Sequence, residues 1–193
     1  MNKNKWSVLL VGGSSGIGKT RITKELAKAY KAKIIEADDI CCAVKAMTTV
    51  DSYPAIHYWI SDIDWRKEGV HGNVEWLSKV SEELSHGLKA IVDSHIGDES
   101  PIIIEGDFIS AKFAASFENP NVKAIYIYES DEAQIVKNYL KREGGEPQQF
   151  RASISAEYGK KLKSDCDKYG VNIVESRPWN TLINRVIECI GEQ

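Results

Sequence analysis

Five short apolar runs recur along the chain, and stretches with helical periodicity lie between them. The runs occupy residues 8–11, 33–36, 102–104, 121–128 and 171–175. Apolar runs of this length, bounded by glycine, proline or acidic residues, are typical of buried strands. Strands that alternate with helices indicate a parallel sheet with right-handed crossovers. The pattern therefore predicts an α/β fold, and residues 1–193 fit a single domain.

The chain between the second and third predicted strands is long and rich in aromatic residues. Its clearest helix covers residues 73–96, where Asn73 is positioned to cap the start. Trp59 and Trp65 are interpreted as core residues, because aromatic side chains supply the largest apolar area to a small helical core. We interpret residues 40–100 as a helical region that covers the substrate.

Composition restricts the partners of the chain. It has 25 basic and 28 acidic residues, for a net charge of −3, which provides no basic surface for nucleic acid or for a membrane. No apolar segment approaches the length that spans a bilayer, and the only apolar run near the N-terminus is the first strand. The cysteines have no paired spacing, which favours reduced thiols: Cys41, Cys42, Cys166 and Cys189. These features predict a cytoplasmic protein that acts on small molecules, and they leave its oligomeric state open.

The first strand leads into a glycine-rich segment that matches the pattern G-x-x-x-x-G-K-[ST]. Its residues are Gly13, Ser14, Ser15, Gly16, Ile17, Gly18, Lys19 and Thr20. Glycines let successive backbone N–H groups curl around a phosphate, and the following helix adds the positive end of its dipole. Lys19 then reaches the β- and γ-phosphates, and the Thr20 hydroxyl is a ligand for magnesium. The motif predicts ATP and Mg²⁺ as cofactors.

The same glycines also resemble the dinucleotide turn of short-chain dehydrogenases, GxxxGxG. Those enzymes resemble one another in a Tyr-x-x-x-Lys pair, and no tyrosine of this chain has a lysine four residues later. In a dehydrogenase, Lys19 and Thr20 would also have no function in cofactor binding. The phosphate loop is therefore the preferred interpretation.

Acidic residues follow the second and third strands, at the edge where ligands bind in open α/β sheets. Asp38 or Asp39 is a candidate to accept a proton from a substrate hydroxyl or to hold magnesium through water, with Asp38 preferred; the structural alternative is a helix cap. Glu105 is a candidate for ordering the water shell of magnesium or for binding the substrate, whereas Asp107 is interpreted as the cap of the next helix.

A second glycine-rich segment, residues 142–151, separates two predicted helices and has the composition of a mobile lid. Arg142 and Arg151 flank it and are candidates to neutralise a transferring phosphoryl group; the alternative is a surface loop whose arginines face water. After the fifth strand, Arg177 or Trp179 is a candidate to stack on the nucleotide base, although Pro178 between them is also typical of an ordinary helix start.

Together, the Gly13–Thr20 loop, the acids after the strands and the arginine-flanked lid resemble the small P-loop kinases. The similarity extends to 2-phosphoglycerate kinase, zeta toxins and chloramphenicol phosphotransferase, and more distantly to shikimate and gluconate kinases. It implies a three-layer P-loop NTPase fold, with a five-stranded parallel sheet in the order 2-3-1-4-5 and helices on both faces. It also implies that Asp38 is the catalytic base or hydroxyl ligand. The chain lacks the DGxPR-like segment of adenylate kinases and a dense R-x-x-R lid.

The expected function is an ATP-dependent phosphotransferase that moves the γ-phosphate to a hydroxyl of a small molecule. One alternative is a nucleoside or nucleotide kinase. Another, from a different class, is a non-catalytic regulatory protein whose conformation depends on the bound nucleotide.

Overall fold

One parallel sheet of five strands organises the structure, which is a computed structural model that describes residues 6–59 and 65–191. The strands are β1 (Val8–Gly12), β2 (Lys33–Glu36), β3 (Ile102–Gly106), β4 (Val122–Tyr128) and β5 (Ile173–Glu175). They are hydrogen-bonded in the order β2-β3-β1-β4-β5, and every pair is parallel. The predicted fold class and strand order are thus confirmed.

Helices connect these strands in the alternating manner that the sequence pattern predicts. In chain order they are α1 (Lys19–Tyr30), α2 (Ala37–Met47), α3 (Pro54–Trp59), α4 (Gly69–His95), α5 (Ala111–Ala114), α6 (Glu132–Glu143), α7 (Gln149–Tyr169) and α8 (Leu182–Gly191). Short 3₁₀ segments, Trp65–Glu68 and Trp179–Thr181, precede α4 and α8. Within the described ranges, no helix combines the length and the apolar character needed to cross a membrane.

The sheet is covered on both faces because its central strand, β1, has no polar side chain at any position. In β1, Val8 and Leu10 pack in one apolar layer with α4 and α7, whereas Leu9 and Val11 pack in the other with α1 and α8. Side chains of a strand point alternately to opposite faces, so an uninterrupted apolar strand requires two covering layers. The result is a three-layer fold whose strand ends share one edge.

Two helices begin earlier than the sequence suggests. Asn73 does not cap α4, which starts a turn earlier at Gly69; its buried Nδ2 donates to the carbonyl oxygens of Trp65 (2.7 Å) and Gly69 (2.6 Å). The 3₁₀ segment Trp65–Glu68 is followed directly by α4. The two hydrogen bonds of Asn73 therefore tie this segment to the first turn of the helix. Helix α7 likewise starts at Gln149, which places Arg151 in a helix and reduces the lid loop to residues 144–148.

The predicted cap region is helical where it is described. Trp65 packs half-buried against the core, as expected, and stacks on Phe150 with ring centroids 5.3 Å apart. The prediction for the Trp59 side chain, and the part of the cap formed by residues 60–64, lie outside the described part of the chain.

Candidate active site

The glycine-rich loop joins β1 to α1 through backbone conformations that only glycine adopts easily. Gly13 has φ +142° and Gly18 has φ +95°. A Cβ atom at Gly13 would lie 2.5 Å from the carbonyl oxygen of Ile127, and one at Gly18 would lie 2.5 Å from the Trp179 ring. The loop is therefore held against β4 and the Trp179 indole, and it forms one wall of a cleft of about 690 Å³.

Most of the predicted site residues meet in this first cleft. Its lining includes Ser15, Gly16, Ile17, Gly18, Lys19, Thr20, Asp38, Glu105, Arg142 and Arg177. Gly13 and Ser14 belong to the loop behind that surface, and Arg151 lines a second cleft instead. Asp39 lines neither cleft, although it shares the first turn of α2 with Asp38.

The loop lysine is held by an acid that the sequence interpretation assigned elsewhere. Lys19 Nζ donates to the Ser14 carbonyl oxygen (2.8 Å) and to Asp107 Oδ1 (2.5 Å), and its side chain is only 7% exposed. The prediction that Asp107 caps a helix is wrong: α5 is capped by Ser110, whose hydroxyl accepts from the Phe113 N–H. Because Gly106 is paired with Gly12, Asp107 leaves β3 beside the loop and faces the lysine.

Asp38 and Glu105 lie in an acidic corner of the cleft. Burial raises the pKa of Asp38 to about 6, the negative charge of Asp107 adds to the rise, and Lys19 opposes it. Burial also raises the pKa of Glu105, against the opposing effects of Lys19 and of a hydrogen bond from Thr20. Asp38 is accessible from the cleft, so near pH 7 it is a carboxylate that can accept a proton.

Thr20 and Glu105 provide the oxygen donors that suit magnesium. Both line the first cleft, and their side chains are hydrogen-bonded to each other. In the described ranges, no group of three or more histidine, cysteine or acidic side chains is arranged to hold a metal by itself. Magnesium at phosphate sites takes few protein ligands and relies on phosphate and water oxygens, so the pair fits such an ion.

The two lid arginines share one carboxylate. Arg142 Nη2 lies 2.5 Å from Glu143 Oε1, and Arg151 Nη1 lies 2.9 Å from Glu143 Oε2. Both guanidinium groups also lie over the Tyr139 ring, at 5.1 Å and 4.3 Å. Hydrogen bonds from Gln148 and Arg142, with the charge of both arginines, lower the pKa of Glu143 to about 2.

Arg177 is anchored by a buried acid at the opposite end of the first cleft. Its Nε lies 3.1 Å from Glu129 Oε2, which also accepts a 2.6 Å hydrogen bond from the Ser176 hydroxyl. Nearby, the Arg21 guanidinium lies 5.0 Å from the centre of the Trp179 ring. The Trp179 ring and these two arginines offer a planar, cationic surface to a nucleotide base.

A second cleft of about 510 Å³ opens beside the first. The two share three lining residues: Ser15, Asp38 and Asp107. Side chains from α2, α4, α6, α7 and the 3₁₀ segment before α4 complete its wall together with Phe108 and Gln148. Asp38 therefore stands where a molecule in one cleft would meet a molecule in the other.

A hydrogen bond ties the phosphate loop to the helix that leads to the lid. Asn138 Nδ2, on α6, donates to the Gly16 carbonyl oxygen at 2.7 Å. Gln134 Nε2, one turn earlier, donates to Asn138 Oδ1 at 2.8 Å and fixes the orientation of the amide. Arg142 lies one turn further along the same helix.

Asp107 and Glu143 are the residues of the site that sequence reasoning missed. For Asp107 a signal existed, because it is the first residue past the end of a strand that is adjacent to the loop strand. For Glu143 there was none, since its partners belong to two helices whose packing is not encoded in local spacing.

Comparisons with known proteins support the fold. No protein-family model matches the sequence, and the search of curated proteins found no match. Among solved structures, the chain is similar to a gluconokinase from Sinorhizobium meliloti 1021 (13% identity, TM-score 0.53, 99% of this chain and 94% of that one). It is also similar to a shikimate kinase from Acinetobacter baumannii in complex with shikimate (14%, 0.53, 97% and 94%) and to TT1252 from Thermus thermophilus (13%, 0.54, 98% and 98%). The chain thus has the fold of the small P-loop kinases.

Proposed function

We propose that the protein is a kinase that transfers the γ-phosphate of ATP to a hydroxyl group of a small molecule. The observation that carries the proposal is the meeting of two clefts at Asp38, with the phosphate loop in one and a partly apolar wall in the other. Phosphoryl transfer depends mainly on positioning and charge stabilisation, and this arrangement supplies both.

On the donor side, the loop amides and Lys19 hold the phosphates of ATP. Asp107 competes with the phosphate oxygens for the Lys19 ammonium, so Lys19 exchanges this carboxylate for a phosphate oxygen when ATP binds. Thr20 and Glu105 are the residues that would hold magnesium, which supplies positive charge to the phosphate oxygens when it is bound. Arg177 and Trp179 contact the base.

On the acceptor side, a hydroxyl directed at Asp38 hands its proton to the carboxylate as its oxygen attacks the γ-phosphorus. A new P–O bond forms to the acceptor, the bond to the β–γ bridging oxygen breaks, and ADP leaves. Arg142 and Arg151 neutralise the transferring group once the lid moves them away from Glu143.

The test is an ADP-release assay with ATP, magnesium and a panel of hydroxyl-bearing metabolites, antibiotics and nucleosides, with Lys19→Ala as the blank. A kinase gives acceptor-dependent ADP release and a phosphorylated product detectable by mass spectrometry. The proposal is refuted if no acceptor stimulates release above the blank, or if the protein binds NAD and not ATP.

A further inference from the structure

We infer that the phosphate acceptor is an uncharged or cationic alcohol that carries an apolar ring, and not a carboxylate or a phosphate ester. The inference deepens the proposed function, on which it rests in taking the second cleft as the acceptor's site. Three properties of that cleft carry it: an apolar wall, a lack of available positive charge, and an acid without a partner.

The apolar wall of the second cleft comes from large side chains of distant elements. Trp65, Leu77, Phe108 and Ile154 line it, and all except the half-buried Trp65 are buried. Tyr158 adds its ring, because its hydroxyl is already hydrogen-bonded with Ser81 (3.1 Å) and the Asp107 carbonyl oxygen (3.1 Å). A cleft of about 510 Å³ with such a lining suits a ring-bearing small molecule.

Positive charge is scarce in this cleft. Among the described residues that line it, Arg151 is the only lysine or arginine. Its guanidinium is bound to Glu143 at 2.9 Å and to Gln148 Oε1 at 3.1 Å, and it lies over the Tyr139 ring. When the lid moves it away from Glu143, its charge serves the transferring phosphoryl group and not the acceptor. An anionic acceptor would find no available counter-ion here.

The second cleft does provide negative charge, which is carried by Asp38. Lys19 compensates Asp107, but no lysine or arginine among the described residues forms an ion pair with Asp38. The neighbouring Cys41 thiol adds no charge, because burial raises its pKa to about 11. A carboxylate or phosphate entering the cleft would be desolvated beside Asp38 without compensation, whereas an ammonium group would be attracted.

Three compounds of matched size test the charge preference: 3-phenylpropane-1,2-diol, which is uncharged, phenylalaninol, which is cationic, and 3-phenyllactate, which is anionic. Each is titrated by calorimetry into the full chain loaded with magnesium and a non-hydrolysable ATP analogue. The diol and phenylalaninol are expected to bind at least about tenfold more tightly than 3-phenyllactate. Equal or tighter binding of 3-phenyllactate overturns the inference, and so does the absence of binding by all three.

A charge introduced into the cleft provides the second arm. Cys42 lines the cleft and is exposed, so the fold can accept Cys42→Lys, with Cys42→Ser as the neutral match. The lysine variant is expected to shift the ratio of affinities toward 3-phenyllactate by about tenfold, and the serine variant to keep the original ratio. An unchanged ratio in a folded Cys42→Lys protein, as judged by circular dichroism, contradicts the inference.

The two hypotheses fail separately. If the charge preference holds but no alcohol is phosphorylated, the description of the cleft is right and the proposed kinase activity is wrong. If ADP release is stimulated only by carboxylates or phosphate esters, the kinase activity is right and the acceptor class is wrong.

Discussion

The two clefts are built in opposite ways. The first is organised around one continuous segment, Gly13–Thr20, whose glycines set the backbone. The second is assembled from side chains of α2, α4, α6, α7 and the end of β3, which are distant in the sequence. If the proposed function holds, the donor is recognised mainly by main chain and the acceptor by side chains that only the tertiary fold brings together.

The two clefts also differ in the number of basic side chains that line them. Six basic side chains line the first: Lys19, Arg21, Lys137, Lys141, Arg142 and Arg177. The described lining of the second contains one, Arg151. One cleft is therefore suited to a polyanion such as a triphosphate, and the other is not.

The most damaging change to the first cleft is Lys19→Ala, which removes the charge placed for the β- and γ-phosphates. We expect kcat for acceptor-dependent ADP release to fall about 1000-fold, because a preorganised charge is lost from a desolvated site. Lys24→Ala, on the exposed face of the same helix, is the matched control and should leave kcat unchanged. Comparable losses in both variants would remove Lys19 from the mechanism.

Asp38→Asn affects the junction of the two clefts. Turnover is expected to fall about 100-fold or more, since a general base is lost, while the Kd for ATP changes little. Asp39→Asn, in the same helical turn but outside both clefts, should behave like the natural protein. Turnover and calorimetric Kd values separate these outcomes, and retained turnover in Asp38→Asn would exclude Asp38 as the base.

The pH dependence sharpens the same assignment. The pKa of Asp38 is raised to about 6, so the basic form is lost as the pH falls through 6. We expect kcat/KM to rise with pH up to about 6 and to lose about tenfold per pH unit below it. The residual kcat/KM of Asp38→Asn should not show this loss below about pH 6. If the loss persists in the variant, a group other than Asp38 causes it.

Asp107→Asn tests the exchange that binding of ATP requires at Lys19. Without the competing carboxylate, the Kd for ATP should decrease about tenfold, or ~1.4 kcal/mol. The free energy of unfolding should fall by about 1–2 kcal/mol, because the lysine is buried and the pair only partly accessible. Calorimetry and urea unfolding measure the two effects; Asp93→Asn, in an exposed pair with Lys89, is the control. Weaker ATP binding would instead indicate that Asp107 assists the donor.

Glu143→Gln is expected to have the smallest effect. The pair with Arg142 and Arg151 is largely exposed and screened, so the free energy of unfolding should change by less than about 1 kcal/mol. Because the pKa of Glu143 is lowered from its ordinary value to about 2, this stabilisation is fully present above the ordinary carboxyl pKa and is lost progressively as the pH falls from there to about 2. Urea unfolding at pH 3 and pH 7, beside Glu146→Gln, measures it. A decrease of more than about 2 kcal/mol in the free energy of unfolding would indicate that this ion pair stabilises the fold, and would contradict its assignment to a mobile lid.

The sequence predicts the sheet and the loop because both depend on local rules. Apolar runs identify buried strands, and the spacing of Gly13, Gly18 and Lys19 encodes a backbone shape that does not depend on the rest of the fold. It does not predict the partners of Asp107 and Glu143, because an acid after a strand or a helix caps and pairs equally well until packing decides. Trp65 is a further example of a residue whose role depends on tertiary packing. It packs against the core as predicted, yet it is only half-buried and also lines the second cleft.

The hydrogen bond from the Asn138 amide to the Gly16 carbonyl oxygen connects the phosphate loop directly to helix α6. We expect a loop that tightens around phosphates to shift α6, whose last turn carries Arg142. ATP binding would then be transmitted to the second cleft by a movement of this helix. We expect an ordered kinetic scheme, with ATP first and the acceptor second, and expect Asn138→Ala to turn that pattern of product inhibition into a random one.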